Sequence, residues 1–175
     1  MAKATKENIY RAFSSLLNKY DLDKITVTTL VSECNISRQT FYYHFKDIGA
    51  LVDWSIKQST AGCLESAKNA KDITDATIIY LNHVKDNRSF LTKCLNSSLS
   101  GYTALLIRNS IIEFCTEFNN IRKLGGPNPD DTKFIIDFIS NGVTGLIITT
   151  FYEKKEIDVE YLAERITTTI LKRVI

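Results

Sequence analysis

From Ser37 to Lys46 the chain reads SRQTFYYHFK, in which Arg38, Gln39, Thr40, Tyr42, Tyr43 and His44 carry charged or hydrogen-bonding groups around two phenylalanines. In a helix, at about 100° per residue, Phe41 and Phe45 share one side while Gln39 and Tyr43 point nearly opposite. Such a helix is anchored inward by its rings and turns a donor-rich, aromatic face outward. The chemistry suited to that face is recognition of a nucleic-acid duplex. Arg38, Gln39 and Thr40 stand at the helix end that enters a major groove, with hydroxyls and a cation for phosphates.

Catalysis fits the chain poorly. It has two histidines, His44 and His83, and no Gly-rich phosphate loop, nucleophile elbow or HExxH motif. Cys34, Cys63, Cys94 and Cys115 are spaced like neither a zinc site nor a CxxC redox pair. They are expected to pack as small apolar side chains in a reducing cytosol, with a thiol sensor as the alternative. No enzyme activity, cofactor or metal is expected.

The elements that position the polar face are legible on either side of it. Thr26 caps a short helix whose apolar face is Val27, Leu30, Val31 and Cys34, and Asn35, which tolerates a left-handed backbone, stops it. Ser37 caps the next helix, with Ile36 packing on Phe41 as a hydrophobic staple. Upstream, residues 5 to 20 form a helix with Ile9, Phe13, Leu16, Leu17 and Tyr20 on one face. Its Lys3, Lys6 and Arg11 read as a solvated face, with phosphate contact as the alternative.

The run I-T-V-x-x-L-V-x-x-C-N-I-S-x-x-T-F-Y-x-x-F-x-D-x-x-A-L, from Ile25 to Leu51, is similar to the signature of the TetR family of transcriptional regulators. The resemblance implies an all-α fold: a three-helix DNA-binding domain with a helix-turn-helix over residues 1–46, and a helical ligand-binding and dimerisation domain over 47–175. It implies base contacts from Arg38, Gln39 and Tyr43 and phosphate contacts from Thr40, Tyr42 and His44, with Thr28 and Lys46 as weaker additions. The chain departs from the family at Val31 and Cys34, where small residues are usual, at Asn35 (usually Gly) and at Ile48 (usually Lys). Ile48 cannot make the phosphate contact of that Lys, so Lys46 or the start of the following helix is expected to replace it.

Composition agrees with this organisation. The 175 residues suit one DNA-binding and one regulatory module, and 44% hydrophobic residues suffice for a core. The net charge of +2 does not argue nucleic acid by itself. Residues 1–46 hold seven Lys and Arg against four Asp and Glu, so the basic bias lies at the DNA-binding end. The polar start MAKATKENIY has no apolar segment, and a cytoplasmic protein is expected.

Beyond Asp47, which caps a long helix towards Ala67, the pattern predicts helices after Thr74, after Asn87 and after Gly101. Trp54 on the long helix reads as a packed aromatic, with ligand contact as the alternative. His83 reads as solvated. The helix through Leu105, Leu106, Ile107, Ile111, Ile112, Phe114, Cys115, Phe118 and Ile121 is apolar on more than one side and is expected to be covered by others. Gly125, Gly126, Pro127 and Pro129 signal a loop before two final helices, 131–152 and 158–174.

Asp137, Ser140 and Asn141 interrupt the apolar run FIIDFISNGVTGLIITTFY, so no membrane span is expected there. Gly142 and Gly145 would let another helix approach closely. The last helix carries Val159, Leu162, Ile166, Ile170, Leu171 and Val174. Two such helices from each of two chains make a four-helix bundle, as in dimers of the TetR family; closure of a monomer core is the alternative. The expected protein is a homodimeric repressor on a pseudo-palindromic operator in double-stranded DNA, released by a small apolar or amphipathic effector. The segments Tyr80 to Leu95 and Phe151 to Leu162 also resemble a TetR subgroup associated with dihydroxyacetone kinase operons. That resemblance implies, as the alternative, a regulator controlled by a protein co-regulator and capable of activation.

Overall fold

The computed structural model describes residues 2–122 and 129–174. Among them there is no strand, and the chain is all-α: α1 (Ala2–Lys19), a 3-10 turn (Leu22–Lys24), α2 (Val27–Glu33), α3 (Arg38–His44), α4 (Ile48–Ala67), α5 (Ile73–Asp86), α6 (Arg88–Leu95), α7 (Ser100–Arg122), α8 (Pro129–Tyr152) and α9 (Val159–Val174). The loop signal at Gly125, Gly126 and Pro127 lies outside the described residues. So do the side chains of Ile121, Pro129, Ile170, Leu171 and Val174.

The residues form two compact units. One comprises Met1–Lys57 and Ser89–Leu106, the other Gln58–Arg88 and Ile107–Ile175.

In the first unit α1, α2 and α3 pack on one another. Ile9, Phe13, Leu16 and Leu17 of α1 are buried, as the spacing predicts. Tyr20 is instead 52% exposed, because α1 ends at Lys19 and the chain turns there, so that Leu22 and Ile25 fill the core in its place. The Lys93 ammonium of α6 donates to the carbonyls of Leu17 and Tyr20, satisfying orphan acceptors at the negative end of α1. Asp23 accepts from the Ser98 hydroxyl at 2.7 Å and from its backbone N–H at 3.0 and 3.1 Å. These bonds favour the carboxylate and hold the Asp23 pKa below its ordinary value.

Trp54 packs edge-on against Tyr10 and Phe45, with ring centroids 6.0 and 5.8 Å apart. Its role is therefore packing within the first unit.

In the second unit α5 packs on α9. The buried stripe of α9 is Val159, Ala163 and Thr167. Leu162 and Ile166, which belong to the apolar face expected of this helix, are half-buried at the edge of that stripe. Small Ala163 and Thr167 let α5 come close, and the Thr167 and Thr74 hydroxyls hydrogen-bond at 3.1 Å. The Tyr80 hydroxyl lies 2.8 Å from the Ser110 hydroxyl, which itself donates to the Ile107 carbonyl. Ser110 has one hydrogen, so Tyr80 is the donor between them. The Tyr80 ring meets Phe114, whose ring stacks on Phe118.

His83 is not a solvated residue. It is half-buried, 3.3 Å from the Ser59 hydroxyl, and burial pushes its pKa down. On α7 the apolar residues are not all covered, since Leu105 is 57% exposed.

All four cysteines are free. Burial pushes the Cys63 and Cys94 thiols up to about 12 and Cys115 to about 11. Thiols held in that range stay protonated at neutral pH and act as apolar filling.

α8 divides sharply. On one side Arg108 of α7 donates to Asp137 at 2.9 Å and to Asn141 at 3.0 Å, so two of the residues that interrupt its apolar run serve helix pairing. On the other, Phe134, Phe138, Gly142, Gly145 and Tyr152 fall within an arc of about 80°. Phe134 and Phe138 are 70% and 73% exposed, and their rings stack. By length and composition this helix could cross a membrane, with mean hydropathy 1.6 over an 18-residue window within Asp130–Tyr152; its polar side is nonetheless engaged with α7.

α8 ends in a left-handed residue, Lys154 at φ 55°. The Lys155 N–H bonds the Thr150 carbonyl and the Lys154 N–H that of Phe151, the pattern of a Schellman cap. A side chain other than Gly or Asn is unfavourable there by about 1–2 kcal/mol, partly offset by the greater freedom glycine has in the unfolded chain. Lys154→Gly is therefore expected to raise stability by about 0.5–1 kcal/mol, read from denaturant midpoints at unchanged slope.

Candidate nucleic-acid interface

The polar face rests on two helix ends built for a tight turn. Thr26 and Thr29 cap α2 reciprocally: the Thr29 N–H donates to the Thr26 hydroxyl at 3.1 Å, and the Thr26 N–H to the Thr29 hydroxyl at 3.0 Å. Asn35 stands at φ 50°, with the Ile36 N–H on the Val31 carbonyl and the Asn35 N–H on that of Ser32. This second Schellman cap reverses the chain within three residues. Ser37 then caps α3 by accepting from the Thr40 N–H at 3.0 Å.

Leu30 and Phe41 are fully buried and Phe45 nearly so, which fixes the rotation of α3. Gln39 and Arg38 are exposed, Tyr43 is 80% exposed and Tyr42 56%. Tyr42 packs its ring edge on Phe41 at 5.5 Å and leaves its hydroxyl end outward. Thr40 and His44 are half-buried: the Thr40 hydroxyl bonds that of Ser37 at 2.9 Å, and the His44 ring stands edge-on to Tyr43 at 5.0 Å. Thr28 and Lys46 are exposed.

Two features here escaped the sequence, because each pairs residues by surface geometry, for which spacing carries no signal. The Arg38 guanidinium donates to the Thr28 hydroxyl at 2.7 Å, joining two of the candidate residues. Lys6, read as part of a solvated face, lies over the Phe45 ring at 5.4 Å, a cation–π contact. Asp47 caps α4 as the sequence predicts: its carboxylate accepts from the Ala50 N–H at 2.7 Å and so occupies the start of that helix.

A seven-residue helix with a polar exposed face, held by a buried ring and preceded by a capped helix, has the build of a recognition helix. The family described as Transcriptional regulator C-terminal region (TetR_C_8) matches residues 71–172, more than half of the chain. The chain belongs to the TetR family of transcriptional regulators. Among solved structures, it is similar to the dihydroxyacetone kinase operon activator DhaS, with 17% identity, 97% of this chain and 96% of the other covered, and a TM-score of 0.71. It is also similar to the fatty acid degradation regulator FadR from Bacillus halodurans, at 12% identity, 97% and 95% coverage and a TM-score of 0.58. The TetR family repressor AlkX from Dietzia sp. strain DQ12-45-1b, implicated in biodegradation of n-alkanes, matches at 13% identity, 94% coverage of each chain and a TM-score of 0.57. At these identities the likeness is one of fold. No curated protein matches the chain.

Proposed function

We propose that this TetR-family regulator works as a twofold homodimer whose two α3 helices read a pseudo-palindromic operator. Residues 1–46 act as the DNA-binding domain and residues 47–175 as the regulatory and dimerisation domain. The observation that supports it most is the outward face of α3, held in rotation by buried Phe41. In this reading Arg38, Gln39 and Tyr43 meet base edges, and Thr40, Tyr42 and His44 meet phosphates. Of the two replacements for the Lys missing at Ile48, Lys46 is the better, because the Asp47 carboxylate already fills the start of α4 with negative charge.

The exposed apolar stripe of α8 supports the dimer. A contiguous apolar patch of that kind marks an interaction surface, and its two glycines suit close helix approach.

The regulatory sign we propose is repression, relieved by a small apolar or amphipathic effector. Tyr80, Phe114 and Phe118 give the interior of the second unit an aromatic lining, with the Tyr80 hydroxyl already satisfied by Ser110. An effector acts by binding two arrangements of the dimer differently, and α4, which runs from one unit into the other, is the lever. One observation favours a second reading: the higher TM-score to the kinase operon activator DhaS than to FadR or AlkX. Under it the second unit answers to a protein co-regulator. Release of the purified dimer from operator DNA by small apolar molecules alone counts for the first reading; insensitivity to them, with a shift on adding a partner protein, counts for the second.

The test of DNA reading is selection of bound duplexes from a random pool at a fixed salt concentration. An enriched palindrome with half-sites about one helical turn, 34–36 Å, or multiples apart is expected; its absence overturns the proposal. Gln39→Ala should then lose about 1–3 kcal/mol of discrimination at one base pair per half-site, with the salt slope unchanged, as measured on single-base operator variants.

A further inference from the structure

Three threonines stand in the first turn of the helix-turn-helix, and their hydroxyls do different things. Thr26 and Thr29 cap each other. Thr28 takes no part in that box. Its hydroxyl accepts from Nη2 of Arg38 at 2.7 Å, across ten residues and between two exposed side chains. Thr28 sits in the first turn of α2 and Arg38 is the first residue of α3, so the bond spans the two helices on their outward side. Among the described residues the Arg38 guanidinium pairs with no carboxylate, and its charge remains available to DNA.

A guanidinium has five N–H donors and reads guanine with two of them. Spending one on Thr28 leaves a pair for a base edge. An exposed arginine otherwise samples many rotamers, and ordering one on binding lowers affinity by a factor of a few to about ten. The Thr28 side chain, branched at Cβ, holds few rotamers on a helix, so its hydroxyl is a fixed post.

We propose that Thr28 is a positioning residue that pre-sets Arg38 for base reading, not itself a DNA contact. This rests on the proposed reading of Arg38 as a base-contacting residue. Thr28→Val keeps the shape and removes the acceptor; Thr28→Ser keeps the acceptor. Thr28→Ala removes the hydroxyl in a residue that favours the helix, so a loss shared by Val and Ala does not come from unfolding.

The experiment measures binding of the full chain to the selected operator and its single-base variants, for the unaltered protein, the three Thr28 variants, Arg38→Ala, and Thr28→Val with Arg38→Ala. Arg38→Ala is expected to lose preference at one base pair per half-site. Thr28→Val and Thr28→Ala are expected to lose roughly 3- to 10-fold of preference at that same base pair, with other positions, the salt slope and the melting temperature unchanged. Thr28→Ser should retain the preference, and the double variant should be no worse than Arg38→Ala.

Full preference in Thr28→Val beside a loss in Arg38→Ala overturns the proposal. So does tighter binding, which would mean that Thr28 sequesters Arg38 away from DNA. A uniform loss over all sequences with a flatter salt slope also overturns it, making Thr28 a phosphate contact. If Arg38→Ala changes no base preference, the reading of Arg38 fails and this proposal falls with it.

Discussion

Chains carrying Gln at both 142 and 145 are expected to sediment as monomers of 19.9 kDa at micromolar concentration, where the proposed dimer of the unaltered protein should sediment at twice that mass. Among the described residues, a Cβ at Gly142 or Gly145 would meet nothing within 4 Å. Inside one protomer, then, the substitutions are free of clash, and replacing an interior helix glycine gains roughly 0.5–1 kcal/mol of helix propensity per site. Against a second copy the sign reverses. A helix that packs closely on two glycines must move out for two glutamines, and overpacking costs about 1–3 kcal/mol per site. By symmetry each site occurs twice in the interface, so association should weaken at least about 100-fold. The unfolding midpoint should also lose its dependence on protein concentration, and operator affinity should fall, since one α3 then binds without its partner. A variant that still sediments as a dimer would place the interface elsewhere, and the Phe134 and Phe138 rings would need another explanation.

Phe41→Ala is expected to cost about 3–5 kcal/mol, the range for emptying a fully buried aromatic site. Phe41 has no exposed surface, and its ring touches those of Tyr42 and Phe45. A loss of this size is a large share of the 5–15 kcal/mol that holds a domain folded. It should appear as faster amide exchange in α1, α2 and α3, because these helices share the core that Phe41 fills. Operator binding should disappear with it, while α5 and α9 keep their protection. Equal loss in both units would show that they unfold as one. Gln39→Ala makes the contrast, for it should alter base preference and leave protection untouched.

Local order was legible because it depends on neighbours in sequence. Thr26, Ser37 and Asp47 are recognisable as caps from residue type and the apolar pattern behind them, and hydrogen bonds bear them out: Thr26 from Thr29, Ser37 from Thr40 and Asp47 from Ala50. The left-handed Asn35 was foreseen for the same reason. Lys154, in the same conformation, gave no such sign, since lysine has no preference for it. The rotation of α3 was also legible, as two phenylalanines four apart admit only one inward face.

Where the sequence misled, a neighbour distant in the chain had decided the matter. Tyr20 and Leu105 are as apolar as the residues beside them, yet both are exposed. Tyr20 is so because α1 stops at Lys19 and the chain turns there. His83 lost its expected solvation to Ser59, 24 residues away.

By itself, then, the sequence determined the helices, their caps, the outward face of α3 and the family to which the chain belongs, because each is set by spacings of three or four residues. Tertiary structure alone decided that Thr28 holds Arg38, that Lys6 covers Phe45, that Lys93 closes the end of α1, and that Arg108 takes the polar side of α8 and leaves Phe134 and Phe138 bare. Those contacts join residues tens of positions apart or on different helix faces, and only packing of the folded chain brings their atoms within bonding distance.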